Sequence, residues 1–130
     1  MVLTVTLTFA AAAAILNLWL ALRIAPLRVG RKISIGHGND PLCEARMRAH
    51  ANFVEYTPFV LILFGLVEFA RGSSLPLSAA AMVYILARIA HAFGMERPAP
   101  NALRITGVLV TFLTLALSAG WALAIAYGLL

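Results

Sequence analysis

The chain has 130 residues, of which 62% are hydrophobic and only 12% are charged. Soluble domains contain roughly 45–50% apolar residues, so this composition excludes an ordinary soluble domain and indicates a membrane protein. The net charge of +5 would also suit nucleic-acid binding, but the basic residues lie in two short segments that flank apolar runs and are not interleaved with aromatic residues, so nucleic acid is not expected as a partner.

The first predicted helix is an uncharged segment over residues 2–22. It is long enough to cross a bilayer, since about 20 apolar residues suffice, and we place the span at residues 2–24. A signal peptide is disfavoured because no basic segment precedes the apolar run, which is also too long for one. Asn17 is the one strongly polar residue here, and we expect it to hydrogen-bond across a helix–helix contact.

A basic loop is predicted over residues 23–40, because Pro26 and several glycines interrupt the helical pattern. Asp40 is placed to cap the next helix, with Pro41 at its first position. The second helix is expected over residues 41–70, roughly 45 Å at 1.5 Å per residue. A hydrocarbon core is about 30 Å thick, so the polar first half of this helix must project from the membrane or line a cavity.

A stripe of four polar residues runs along the first half of the second helix. They are Glu44, Arg48, Asn52 and Glu55, at spacings of 4, 4 and 3. These spacings place all four on one helix face. Residues 60–67 follow and are purely apolar. The first two residues also have the spacing of a simple i, i+4 ion pair. Charges that continue toward a span are costly, however, and are normally retained for a function.

Two further spans are predicted over residues 75–94 and 101–129, and Asn101 is placed to cap the fourth helix. Arg88 and His91 lie three residues apart near the end of the third helix, and Arg104 lies in the first turn of the fourth. The predicted fold class is therefore an all-α membrane protein, a four-helix transmembrane bundle that forms a single domain over the whole chain.

The distribution of lysine and arginine predicts the topology. Nine of the ten lie in or beside the first and third loops, and one lies in the turn between the second and third helices. The nine are Arg23, Arg28, Arg31, Lys32, Arg46, Arg48, Arg88, Arg97 and Arg104, and the tenth is Arg71. We therefore expect a multi-pass protein of the inner or plasma membrane with loops 1 and 3 in the cytoplasm and both termini outside.

The polar residues of all four helices are expected at one membrane face, where they suit a small charged ligand. Arginines bind carboxylates bidentately, and Glu55 could hold an ammonium group. Arg104 near a thiol would lower the pKa of that thiol and favour the nucleophilic thiolate. A γ-glutamyl tripeptide with two carboxylates, one ammonium and one thiol meets this description. His91 could equally be a structural histidine. The single cysteine and the three histidines lack the spacing of a metal site, so none is expected.

Three motifs resemble those of the MAPEG family, the membrane-associated proteins of eicosanoid and glutathione metabolism. EARMRAHANFVEYTPF at residues 44–59 is similar to its second-helix motif almost position for position. ARIAH at residues 87–91 resembles its third-helix motif, as found in the prostaglandin-E synthase branch, and Arg104 resembles the arginine that opens its fourth helix. The resemblance covers nearly the whole chain. It implies a homotrimer that binds glutathione between neighbouring subunits at the cytoplasmic face.

The resemblance also implies roles for individual residues. Arg104 would be the catalytic residue that stabilises the thiolate of glutathione, the co-substrate. The matching positions that would contact the tripeptide are Arg23, Arg48, Asn52, Glu55, Tyr56 and His91. Glu44 and Arg88 join these candidate binding residues because they are expected at the same membrane face. The implied activity is that of a glutathione transferase or peroxidase acting on lipophilic electrophiles or lipid hydroperoxides.

Two positions depart from the synthase branch. Met95 stands where those synthases carry a tyrosine four residues after the histidine, and a thioether cannot donate a hydrogen bond. Ile105 stands where that branch has a serine beside the arginine. These departures keep open an alternative function, a non-catalytic membrane protein that binds lipid or a thiol ligand. A small four-span exporter is disfavoured because residues 2–22 contain no acidic residue.

Overall fold

The structure is a computed structural model that describes residues 2–130. Over this range the chain forms four helices and no strand. They are α1 (Thr4–Gly30), α2 (Pro41–Arg71), α3 (Leu75–Met95) and α4 (Ala102–Ala126). Each of the four is long and apolar enough to cross a membrane. The prediction of an all-α fold with four spans is therefore confirmed.

The bundle has two chemically different ends. At one end lie the loops 31–40 and 96–101, where Glu96 forms ion pairs with Arg23 of α1 and Arg46 of α2. At the other end lies the short turn between α2 and α3, where Glu68 contacts the start of α1. We call these the basic end and the Glu68 end.

Two apolar clusters fill the interior. Nearer the Glu68 end, the ring of Phe9 lies 5.1 Å from that of Phe64 and 5.6 Å from that of Tyr84, measured between centroids. Nearer the basic end, the buried members of the second cluster are Ala13, Leu16, Leu20, Ala49, Phe53 and Ala92. Both clusters join α1, α2 and α3, which sets the orientation in which each helix presents its polar residues.

Glycine allows α3 and α4 to approach closely. A Cβ atom on Gly94 would collide with the backbone of Arg104, and one on Gly107 would collide with the Cβ of His91. The two glycines therefore fix the distance between α3 and α4 in the half of the bundle that holds Arg88, His91 and Arg104.

The predicted helix caps are present. Asp40 accepts a hydrogen bond from the backbone N–H of Cys43 at 2.9 Å, with Pro41 at the first helical position. Asn101 accepts one from the N–H of Arg104 at 3.0 Å. Such caps satisfy backbone donors that have no partner within their own helix.

The start of α1 is capped by a side chain from α2. Its own N-cap residue, Leu3, provides no side-chain hydrogen bond. The carboxylate of Glu68 instead accepts from the backbone N–H groups of Val5 at 2.8 Å and Thr6 at 2.7 Å. It also accepts from the hydroxyls of Thr6 at 2.6 Å and Ser73 at 2.5 Å. Glu68 is fully buried, so these four bonds replace the water that the carboxylate has lost.

One predicted boundary is wrong. The loop expected over residues 23–40 begins only at residue 31, because α1 continues through Pro26 to Gly30. A proline removes one backbone donor and crowds the preceding turn, but the helix can persist where neighbours support its carbonyls. Arg46 supports the same turn, donating at 2.8 Å to the carbonyl oxygen of Arg23, next to the Leu22 carbonyl that Pro26 leaves without a backbone donor. The other helices begin and end within three residues of the predicted bounds.

The true end of α1 is set by Lys32. This residue adopts a left-handed backbone conformation with φ of 56°, and the N–H of Ile33 then reaches back to the carbonyl of Arg28 at 2.9 Å. The N–H of Lys32 bonds the carbonyl of Val29 at 3.3 Å, which completes a Schellman motif. Lysine rarely adopts this conformation, so the sequence offered no glycine signal at the position where the helix ends.

Candidate functional site

The candidate site residues fall into three groups in the half of the bundle toward the basic end. One group is buried between α2, α3 and α4, a second is held in ion pairs near the ends of α1 and α3, and a third is exposed. The three groups differ in the hydrogen bonds and ion pairs that their side chains form with other residues of the same chain.

Arg88 is the centre of the buried group. It is 2% exposed, and its guanidinium donates to Thr111 Oγ1 at 2.9 Å and to Asn52 Oδ1 at 2.7 Å. Thr111 in turn donates to the carbonyl of Gly107 at 2.8 Å. Arg88 thus joins α3 to α2 and α4 by hydrogen bonds to neutral groups. A buried cation without a nearby counter-charge is destabilising, so this arrangement favours the binding of an anion beside Arg88.

Two nitrogen atoms in this group have no hydrogen-bond partner within residues 2–130. They are Arg88 Nε and His91 Nδ1, on side chains that are 2% and 3% exposed. Buried polar atoms are normally satisfied, by protein or by water. The pair therefore marks a place where a polar ligand atom or a water molecule would be stabilised. His91 also packs against Gly107, so it has a structural role as well.

Arg23 belongs to the second group and is already occupied within its own chain. It forms an ion pair with Glu96, and its guanidinium lies 4.6 Å from the ring centroid of Trp19 and 5.1 Å from that of Phe93. Arg46 donates to the same carboxylate oxygen of Glu96 at 2.8 Å. Glu96 was not among the predicted site residues, and Arg46 was counted only as a topology determinant. A lone acidic residue directly after α3 in a basic loop was a signal that could have found this cluster.

The third group consists of Glu44, Arg48 and Glu55 of α2 together with Arg104 of α4, and all four residues are exposed. None of them forms an ion pair with another described residue. In particular, Glu44 and Arg48 do not make the i, i+4 pair that their spacing allows. The exposed face of α2 that holds these three charges becomes apolar toward the Glu68 end, where its residues are Phe59, Ile62 and Leu66.

The remaining positions of interest contact apolar or neutral partners. The ring of Tyr56 meets that of Phe112 edge-on, with centroids 5.6 Å apart. Met95 packs against the apolar cluster nearer the basic end, and Ile105 is 47% exposed. Neither Met95 nor Ile105 provides the hydroxyl that the synthase branch has at these positions.

Asn17 forms the hydrogen bond between helices that the sequence predicted. Its Oδ1 lies 2.8 Å from Nε2 of His50, which is part of the second-helix motif. His50 therefore contributes to the contact of α1 with α2, on a different side of α2 from the exposed charges.

Comparison with known proteins agrees with a helical membrane bundle. The sequence model of the MAPEG family matches residues 6–124, nearly the whole chain, whereas no curated protein matches it. The matched segment includes nearly all of the four helices and every candidate site residue. Membership places the protein among multi-pass membrane proteins of glutathione and eicosanoid metabolism. The chain belongs to the MAPEG family.

Proposed function

We propose that the protein is a membrane-embedded glutathione-dependent transferase or peroxidase that acts on lipophilic electrophiles or lipid hydroperoxides. The observation that carries the proposal is the exposed charged stripe of α2, Glu44, Arg48 and Glu55, none of which pairs with a described residue. Ionised side chains on a spanning helix are rare and usually serve binding or transport. Family membership supports glutathione as the ligand.

Each charge on glutathione has a suitable partner in this half of the bundle. Arg48 binds a carboxylate of the tripeptide, and Glu55 binds its ammonium group. The unsatisfied nitrogens of Arg88 and His91 favour a further polar or anionic contact near Asn52. Arg104, exposed at the start of α4, stabilises the thiolate and so increases its reactivity toward an electrophile.

We further propose that the complete site forms in a homotrimer, with the basic end in the cytoplasm. In one copy Arg23 is bound to Glu96, whereas Glu44, Arg48 and Glu55 are exposed. Charges facing lipid are strongly disfavoured, and a neighbouring copy would cover them and add its own residues to the site. The molar mass of the purified protein in detergent, measured by light scattering, tests this state.

Calorimetry tests glutathione binding directly. Purified wild-type protein in detergent is expected to bind glutathione with micromolar to low-millimolar affinity, and both Glu55→Gln and Arg48→Ala are expected to lose binding. Each variant removes one charged partner of the ligand. Arg71→Ala, at the Glu68 end, is the matched control and should bind normally. Failure of folded, oligomeric wild-type protein to bind glutathione would contradict the proposed function.

Thiolate formation tests the role of Arg104. Glutathione bound to the wild type should absorb in the near ultraviolet as a thiolate at neutral pH, because a guanidinium near the sulfur favours the charged form. Arg104→Ala should lose this absorbance without unfolding, while Arg97→Ala, in the preceding loop, should retain it. Full absorbance in Arg104→Ala would exclude the assigned role without affecting the proposed binding.

A second candidate function is supported by Met95. This residue lies in an apolar cluster and provides no hydrogen-bond donor where the synthase branch has a tyrosine. The observation favours a non-catalytic protein that binds lipid or a thiol ligand. Glutathione binding without turnover of any lipophilic electrophile or hydroperoxide would favour this function over the first.

A further inference from the structure

The net charge of the chain is concentrated at the basic end. Glu68 and Arg71 are the only charged side chains near the Glu68 end, and they cancel, so the whole net charge of +5 belongs to the opposite half. Part of this charge is neutralised there. Arg31 forms an ion pair with Asp40, and Glu96 forms ion pairs with both Arg23 and Arg46.

Two cations on either side of the end of α1 have no such partner. Within residues 2–130, neither Arg28 nor Lys32 forms an ion pair. The guanidinium of Arg28 donates only to the carbonyl of Ser34 at 3.5 Å and to the sulfur of Met47 at 3.2 Å. Lys32 lies just beyond the end of α1 and is exposed. Both charges are therefore available to an external anion.

The length of α1 determines the depth of these cations. Its 27 residues extend about 40 Å at 1.5 Å per residue, whereas the hydrocarbon core is about 30 Å thick. Because Arg23 ends the uncharged part of the helix, the excess lies beyond it, in the last turns up to Gly30. Those turns, with Arg28 and the following Lys32, reach the layer of phospholipid headgroups.

Exposed apolar side chains accompany these cations. Val29 is 80% exposed and Ile35 is 87% exposed, although both lie in a segment that contains three basic residues. Apolar side chains next to basic ones are typical of segments that lie in the interface between water and lipid. This observation is independent of the charges and favours a membrane surface over a soluble anion.

We propose that residues 28–35 form a surface segment that binds the headgroups of anionic phospholipids. Arg28 and Lys32 contact the headgroup phosphates, while Val29 and Ile35 enter the boundary of the acyl chains. Each cation near an anionic surface favours association by about five-fold, so the two together select anionic over zwitterionic lipid. This site is separate from the charged stripe of α2 and does not depend on glutathione binding.

The two tryptophans allow the preference to be measured at each end of the bundle. Trp19 lies about 14 Å along α1 from Arg28, at the depth of the chains of a lipid held there, and Trp121 lies in the half toward the Glu68 end. The full chain is reconstituted as Trp121→Phe, which retains Trp19, and as Trp19→Phe, which retains Trp121. The probe is a vesicle of phosphatidylcholine containing brominated phosphatidylglycerol or brominated phosphatidylcholine, whose bromines quench tryptophan on contact.

At low ionic strength, brominated phosphatidylglycerol should quench Trp19 with several-fold higher apparent affinity than brominated phosphatidylcholine. Trp121 should show no such preference. Adding Arg28→Gln and Lys32→Gln to the Trp19 protein should reduce the preference to near one, while Arg71→Gln, the matched control at the other end, should leave it unchanged.

Three results would overturn the proposal. They are equal quenching of Trp19 by the two lipids, an equal preference at both tryptophans, and an unchanged preference in the double variant. Inorganic phosphate separates a lipid headgroup from a free anion as the ligand. Phosphate should reduce the preference no more than sodium chloride of the same ionic strength, and a larger reduction would indicate a soluble anion site instead.

Discussion

A single buried carboxylate, Glu68, connects the end of α2 to the start of α1 and to Ser73 in the following turn. It accepts two backbone and two hydroxyl hydrogen bonds and is fully buried. A negative charge at a helix N-terminus is also favoured by the helix dipole. Because no other side chain within residues 2–130 caps α1, the backbone N–H groups at the start of this helix depend on Glu68.

We therefore expect Glu68→Gln to destabilise the protein by about 1–3 kcal/mol, since the amide has one acceptor oxygen instead of two and no charge. Thermal unfolding in detergent, followed by circular dichroism, measures the effect. Thr6→Val removes only one hydroxyl donor and should cost less. Equal stability of Glu68→Gln and the wild type would show that the cap contributes nothing to folding.

Arg88 combines hydrogen bonds to neighbouring helices with a nitrogen that has no partner among the described residues. The sequence singled out Arg88, Asn52 and His91 as candidate ligand contacts. In the structure Arg88 and Asn52 bond each other, while Arg88 Nε and His91 Nδ1 stay without a partner among the described residues. The same side chains thus hold the helices together and leave donor or acceptor capacity for a ligand.

At the scale of elements, the contact between α3 and α4 is the most constrained. A Cβ on Gly107 would lie 3.0 Å from the carbonyl oxygen of Ala87 and would collide with His91. Gly120, later on the same helix, has no atom within 4 Å of such a Cβ. Substituting alanine at each glycine therefore separates two effects on stability. At Gly107 the methyl group disturbs packing, whereas at Gly120 only the helix propensity changes.

We expect Gly107→Ala to destabilise the protein by about 1–3 kcal/mol, because α3 and α4 must separate to accept the methyl group. Gly120→Ala should be neutral or should stabilise by up to about 1 kcal/mol, since alanine favours a helix. Denaturation midpoints of the two variants in detergent provide the comparison. Similar midpoints for both would mean that the α3–α4 contact is not tight at Gly107.

At the scale of the whole molecule, the asymmetry of charge between the two ends predicts orientation. Both longer loops lie at the basic end, and the turn at the Glu68 end has only Arg71 as a cation. Cytoplasmic loops are enriched in lysine and arginine. The basic end is therefore expected in the cytoplasm. The last residues of the chain, at the opposite end of the bundle, would then lie outside.

Cysteine labelling in intact cells tests this orientation. In a Cys43→Ser background, Leu130→Cys should react with a membrane-impermeant maleimide added outside. Ser34→Cys should react only after the cells are permeabilised, because both positions are exposed but lie at opposite ends of the bundle. The reverse pattern would mean that the basic end faces outward.

The sequence by itself determined the number and approximate bounds of the spans, the caps at Asp40 and Asn101, and the concentration of charge at one end. These features depend on hydrophobicity and on contacts within a few residues, which a sequence shows directly. The motif of the second helix also sufficed to indicate the family. The end of α1 was missed because the turn around Pro26 is supported by Arg46, a residue of another helix, and because the helix ends at Lys32 and not at a glycine.

Only the tertiary structure decided which polar residues are partners. Glu68 bonds Val5 across 63 positions of sequence, Arg23 pairs with Glu96 across 73, and Arg88 bonds Asn52 across 36. Such pairings depend on how each helix is rotated and how deeply it is inserted against its neighbours. Packing of the apolar clusters and the glycines between α3 and α4 sets those rotations, and these are properties of the assembled bundle that no local pattern contains.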